Sequence, residues 1–154
     1  MTTTTVELSH SRGLLRLLGY AGLLPFAACL AVMLLSDDRD WQARATGQLL
    51  SYAALIASFL GAVHWGAALH SQQGQQNARL AWGVTPALVA WSLLSLPQGF
   101  ALAGFAALFS LILLVDYHLL PLLDEDYRRL RSHLSTLVIA CLLTAAFVYP
   151  GIPA

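Results

Sequence analysis

The chain has 154 residues, 58% of them hydrophobic and 10% charged, with a mean hydropathy of +0.67. A soluble domain carries about 25% charged residues, so this composition excludes most soluble folds and reads as a membrane protein. Eight arginines, no lysine and eight acidic residues sum to zero, which leaves no basic face for nucleic acid and no acidic tail for a cationic partner.

Residues 1–13, led by Met1 and four threonines, read as a flexible polar N-terminus. Residues 14–150 read as a single all-α membrane domain, a bundle of five transmembrane helices. Crossing the hydrocarbon takes about 20 apolar residues, or about 17 at the short end, and five runs meet this: 15–35, 47–69, 80–96, 99–120 and 133–149. They lack a period-2 pattern, and in lipid a helix satisfies its own backbone. The first run follows Arg12 and Arg16, and Phe26-Ala27-Ala28-Cys29 faintly resembles a lipoprotein cleavage box. The run continues to Leu35, past the length of a signal sequence, and reads as a retained span.

The second span carries Gly47, Ser51, Ala54, Ser58 and Gly61 at three- and four-residue intervals. Small residues so spaced let helices approach closely in lipid, which makes this the expected central helix. A Gln-rich segment from His70 to Arg79 reads as a flexible loop. Spans one and three each contain Gly-x-x-Pro, as Gly22 with Pro25 and Gly83 with Pro86. Proline inside a helix frees the carbonyl four residues back, so matching kinks are expected. From Pro121 to Ser132, Leu123, Tyr127, Leu130 and Leu134 recur at helical spacing while Asp124–Arg128 and Glu125–Arg129 pair at i,i+4. This segment is expected to lie as a short interfacial helix before the last span.

Arginine placement sets the orientation. With the N-terminus cytoplasmic, that side holds Arg12, Arg16, Arg79, Arg128, Arg129 and Arg131, and the far side Arg39 and Arg44. The positive-inside rule then favours a cytoplasmic N-terminus and an outer C-terminus. Tyr20, Trp65, Trp82 and Tyr117 inside, with Trp41, Tyr52, Trp91 and Tyr149 outside, fall at the boundaries as aromatic belts.

No catalytic or metal motif is present, and no cofactor is indicated. Cys29 and Cys141 lie in apolar runs and read as small packing residues. Polar groups nevertheless collect at one depth: His64 and Asp116 near the inner ends of spans two and four, Tyr20 and Thr85 early in spans one and three, and Ser135 and Thr136 in span five. Intramembrane ionisable residues are costly and mark functional sites. The candidate cluster is therefore His64, Asp116, Tyr20 and Thr85, with an Asp116–His64 pair at its centre.

Three stretches carry a family resemblance: Gly19-Tyr20-Ala21-Gly22-Leu23-Leu24-Pro25-Phe26, Ser58-Phe59-Leu60-Gly61-Ala62-Val63-His64-Trp65-Gly66 and Trp82-Gly83-Val84-Thr85-Pro86. On these the sequence resembles the domain of unknown function 3429 family, small membrane proteins like transmembrane protein 69. The resemblance covers residues 17–149 and implies a five-helix protein of the bacterial inner membrane, with no assigned activity.

Three function classes follow. The first is a non-catalytic accessory bundle that contacts membrane lipids and binds a small hydrophobic molecule or a membrane-protein partner. The second is a small transporter or proton relay using His64 and Asp116, since histidine titrates in the useful range. The third, a lipid-directed enzyme with His64 as base, lacks a nucleophile or metal, so the sequence leans away from an enzyme.

Overall fold

The computed structural model describes residues 13–69, 76–119 and 125–149, and the expected flexible segment 1–12 lies outside them. The described residues form helices with no strand among them. In chain order they are α1, Gly13–Leu35; α2, Arg39–Leu69; α3, Gln76–Leu93; α4, Gln98–Leu119; and α5, Glu125–Val148. Four of these are long and apolar enough to cross a bilayer: α1, α2, α4 and α5. The 18 residues of α3 reach about 27 Å at 1.5 Å per residue.

Several helix limits differ from the hydropathy pattern, each for a local reason. The Asp38 carboxylate accepts the Asp40 N–H at 2.8 Å, capping the start of α2, so the helix begins at Arg39 and not at 47. The expected loop at His70–Arg79 is shorter, because Gln76 to Arg79 form the first turn of α3; 70–75 lie outside the described residues. The expected interfacial helix and last span are one helix, Glu125–Val148. No glycine or proline interrupts that stretch, and Glu125 and Arg129 pair at 3.0 Å across its first turn. Residues 121–124, including the Asp124 of the expected Asp124–Arg128 pair, lie outside the described residues.

The two Gly-x-x-Pro motifs are used differently. Pro86 sits inside a continuous α3. In α1 the regular turns stop at Gly22–Leu23 and resume at Leu24, so Pro25 occupies the first turn of the resumed helix, where its missing N–H costs least. The break exposes a carbonyl, and Tyr52 donates its hydroxyl to Gly22 O at 3.1 Å. Tyr52 also meets Phe26 edge-on, with ring centroids 5.1 Å apart. It is thus half-buried within the bundle and does not sit in an outer aromatic belt, because α2 starts eight residues earlier than its apolar run.

The helices close a ring, α1 to α2, α3, α4, α5 and back to α1, with α2 also touching α4 across the middle. Phe105, Phe109, Met33, Leu49, Leu102, Ile112 and Leu142 fill the core. The outside is as apolar as the inside: Leu35, Phe100, Trp91 and Phe147 are all exposed. Apolar surface of this extent on every side requires lipid around it.

Polar side chains fasten both ends. Gln98 at the head of α4 donates to Ala43 O of α2 at 3.3 Å and accepts from the Tyr149 hydroxyl at 3.2 Å. At the opposite end Tyr117 and Ser132 lie 3.0 Å apart, joining α4 to α5. Gln42 donates to Ser36 O at 2.7 Å, closing the end of α1.

Candidate functional site

The site begins with how α2 meets α3. The buried face of α2 runs Ala45, Leu49, Ala53, Ala57, Gly61, His64, Ala68. Of the small-residue stripe expected from sequence, only Gly61 lies fully on this face; Ser51 is exposed, Ala54 and Ser58 are half-buried, and Gly47 faces Gln98. At Gly61 the helices are so close that a Cβ there would stand 2.6 Å from Gly83 O and 3.3 Å from Pro86. One turn on, the Trp65 ring covers Gly83, and its indole N–H donates to Leu80 O at 3.0 Å. Two of the stretches that carry the family resemblance therefore lock onto each other, and the lock turns His64 inward.

His64 is fully buried, Asp116 is 7% exposed and Arg131 8%. The three come from α2, α4 and α5. Arg131 donates its Nε–H to Asp116 Oδ2, and His64 Nε2 stands 3.3 Å from Asp116 Oδ1, without the alignment of a hydrogen bond. Arg131 Nη1 reaches the Tyr127 hydroxyl at 3.4 Å, one turn back on its own helix. Arg79 on α3 is also buried. The centre is thus a buried carboxylate held between a guanidinium and an imidazole. A buried charge needs such a partner, because desolvation otherwise exceeds any gain.

Of the residues singled out by sequence, the structure brings His64 and Asp116 together and leaves Tyr20 and Thr85 apart. Tyr20 is exposed on α1, and Thr85 donates to Ala81 O within its own helix at 3.0 Å. Depth along a helix does not fix the face, since successive side chains turn by about 100°. Arg131 is the residue that sequence reasoning missed. The signal for it existed: a carboxylate inside a span calls for a cation, and Arg131 is the arginine nearest the last apolar run.

Beside Arg131 opens a groove of about 370 Å³ between α1, α2, α4 and α5. Its walls are mostly leucine, phenylalanine and glycine, including Leu18, Gly22, Phe26, Leu60 and Phe109. Tyr127, Arg131 and Ser135 line it from α5, one below another at four-residue spacing. Cys141 is clear of it, donating its thiol to Phe26 O at 3.6 Å, and both cysteines are free. Among the described residues no three His, Cys, Asp or Glu side chains come together as a metal site would need. What this arrangement offers chemically is hydrogen bonding and charge at the side of an apolar slot.

Transmembrane protein 69 of Xenopus tropicalis is 30% identical over 140 residues, covering 86% of this chain and 54% of that protein. The chain therefore spans about half the length of the curated relative it matches. No solved structure matches it. A family model described as Protein of unknown function (DUF3429) matches residues 12–147, taking in the α2–α3 lock, the buried triad and the groove, and the chain belongs to that family.

Proposed function

We propose that the protein is a non-catalytic membrane bundle that holds a small hydrophobic ligand in the groove between α1, α2, α4 and α5. The observation that carries this is the groove itself. Its volume of about 370 Å³ lies within the range of about 300–1,000 Å³ typical of small-molecule sites, which are likewise apolar with a few placed polar groups. The absence of a nucleophile beside His64 in the sequence agrees with a binding role. Native mass spectrometry of the protein released from nanodiscs tests it: the wild type retains a copurified apolar ligand, and Leu60→Trp, which fills the groove, loses it. Equal occupancy in both would defeat the proposal.

In this reading all five helices cross the membrane, that of a bacterial cell's inner boundary, with the N-terminus cytoplasmic. The sequence sets six arginines against two across the bilayer; without the buried Arg79 and Arg131 the balance is four to two. Supporting a crossing by α3, its two ends adjoin opposite ends of α2: Gln76 follows Leu69 after six residues, while Gln98, just beyond Leu93, bonds Ala43.

A second reading, a proton relay through His64 and Asp116, is favoured by their 3.3 Å approach. Against it, Arg131 already engages the carboxylate. Proteoliposomes carrying wild type or His64→Gln decide: equal proton flux ends the relay.

A further inference from the structure

The polar side of the groove has a definite chemistry. Arg131 is more than nine-tenths buried and lines the groove, and its Nη2 has no hydrogen-bond partner. Its other nitrogens are engaged, Nε by Asp116 and Nη1 by Tyr127. Leaving a guanidinium nitrogen buried and unpaired costs more than an ordinary hydrogen bond returns. Tyr127 accepts from Arg131 and keeps its own proton to give. Ser135 stands out among the helix hydroxyls: Ser58, Ser110, Ser132 and Thr136 each donate to the carbonyl four residues back, whereas the hydroxyl of Ser135, a buried residue, has no such bond among the described residues. Two hydroxyls, those of Tyr127 and Ser135, therefore stand along one side of an apolar groove with the Arg131 guanidinium between them on the same helix face, and the carboxylate of Asp116 is not among the lining residues.

Donors without acceptors select a headgroup made of acceptors, and an arginine selects one with negative charge. The groove follows α5 from Tyr127 to Val138, about 16 Å at the helical rise.

We infer that the groove binds an amphiphile with an anionic oxygen headgroup. The head is received by the hydroxyls of Tyr127 and Ser135 beside the Arg131 charge, and the chain runs along the apolar wall toward Phe26. This rests on the reading of the groove as a ligand site and names its occupant.

The test uses the full chain in phosphatidylcholine nanodiscs, with binding of four probes measured by native mass spectrometry: dodecanoate, its methyl ester, dodecylamine and lauroyl lysophosphatidylglycerol. Dodecanoate or the lysolipid is expected to bind at least about tenfold tighter than the ester and the amine, the effect of one charge-assisted hydrogen bond; which of the two binds tighter identifies a free acid or a lipid headgroup as the source. Tyr127→Phe with Ser135→Ala, chosen because both leave the Arg131–Asp116 pair intact, should weaken the anionic probe about tenfold and the ester, a weaker acceptor, by clearly less. If the ester or the amine binds as tightly as dodecanoate, or the double variant changes nothing, the headgroup assignment is wrong while the groove remains a ligand site. If no probe binds and Leu60→Trp is indistinguishable from wild type, the ligand-site reading fails with it.

Discussion

Asp116 accepts from Arg131 in a region where both are almost wholly out of solvent, so each residue is conditional on the other. Removing one partner of a buried pair costs about 3–5 kcal/mol because a charge is stranded, whereas replacing both with apolar groups of similar size is often neutral. Asp116→Leu alone is therefore expected to lower stability by about that amount, and Arg131→Met added to it should recover most of the loss. Reversible unfolding in mild detergent measures both; losses that simply add would show that the pair is not coupled. His64 enters the same centre as a neighbour of Asp116 at 3.3 Å, positioned by the glycine contact one turn earlier on α2. Histidine in that position contributes a polar group on a buried face made mostly of alanine, leucine and glycine.

Between elements, the contact of α2 with α3 decides what the bundle can hold. Two glycines make it, and they differ in what a methyl group would strike. At Gly83 an added Cβ would meet the Trp65 ring at 2.0 Å, while at Gly61 it would meet the backbone oxygen of Gly83 at 2.6 Å. Trp65 is half exposed and can swing aside, giving up its bond to Leu80; a helix backbone cannot. Gly61→Ala should thus be the more damaging change, near or above the upper end of the usual overpacking cost of about 1–3 kcal/mol, with Gly83→Ala toward the lower end. A Trp65 fluorescence change confined to Gly83→Ala, together with unfolding curves for both, checks the order. The break in α1 is a related case: Pro25 starts a new helix there, and Tyr52 caps the opening from α2. The same break places Gly22 and Phe26 along the groove.

For the whole molecule, the ring of five helices leaves a volume unfilled between α1 and α5, with α2 and α4 behind. Gly19 shows how tightly that seam is set, since a Cβ there would meet Leu134 at 2.9 Å. The two polar ends hold α2, α4 and α5 together through Gln98 at one side and Asp116 at the other, while α1 is joined to α2 through Gln42 and Tyr52 and to α5 through the Cys141 thiol. The proposed five crossings predict a specific topology. Reporter fusions at 36–38 and 94–97 should give an outer signal, and fusions at 70–75 and 120–124 an inner one. A fusion at 94–97 reporting inside would mean that α3 does not cross.

Composition alone made the chain a membrane protein, because sixteen charged residues cannot cover a soluble surface of this size. Local pattern gave the helical segments and put His64 and Asp116 at a common depth, since the helical rise converts sequence distance into height. It placed helix ends less well at Arg39, Gln76 and Glu125, because hydropathy reports what lipid tolerates, whereas a helix continues into polar residues until a cap or breaker stops it. The partner of Asp116, the separation of Tyr20 and Thr85 from the cluster, and the groove all depended on rotation about helix axes and on which helices are neighbours. Those are settled by glycine contacts and core packing between residues far apart in the chain, and they are the properties that one span read by itself does not contain.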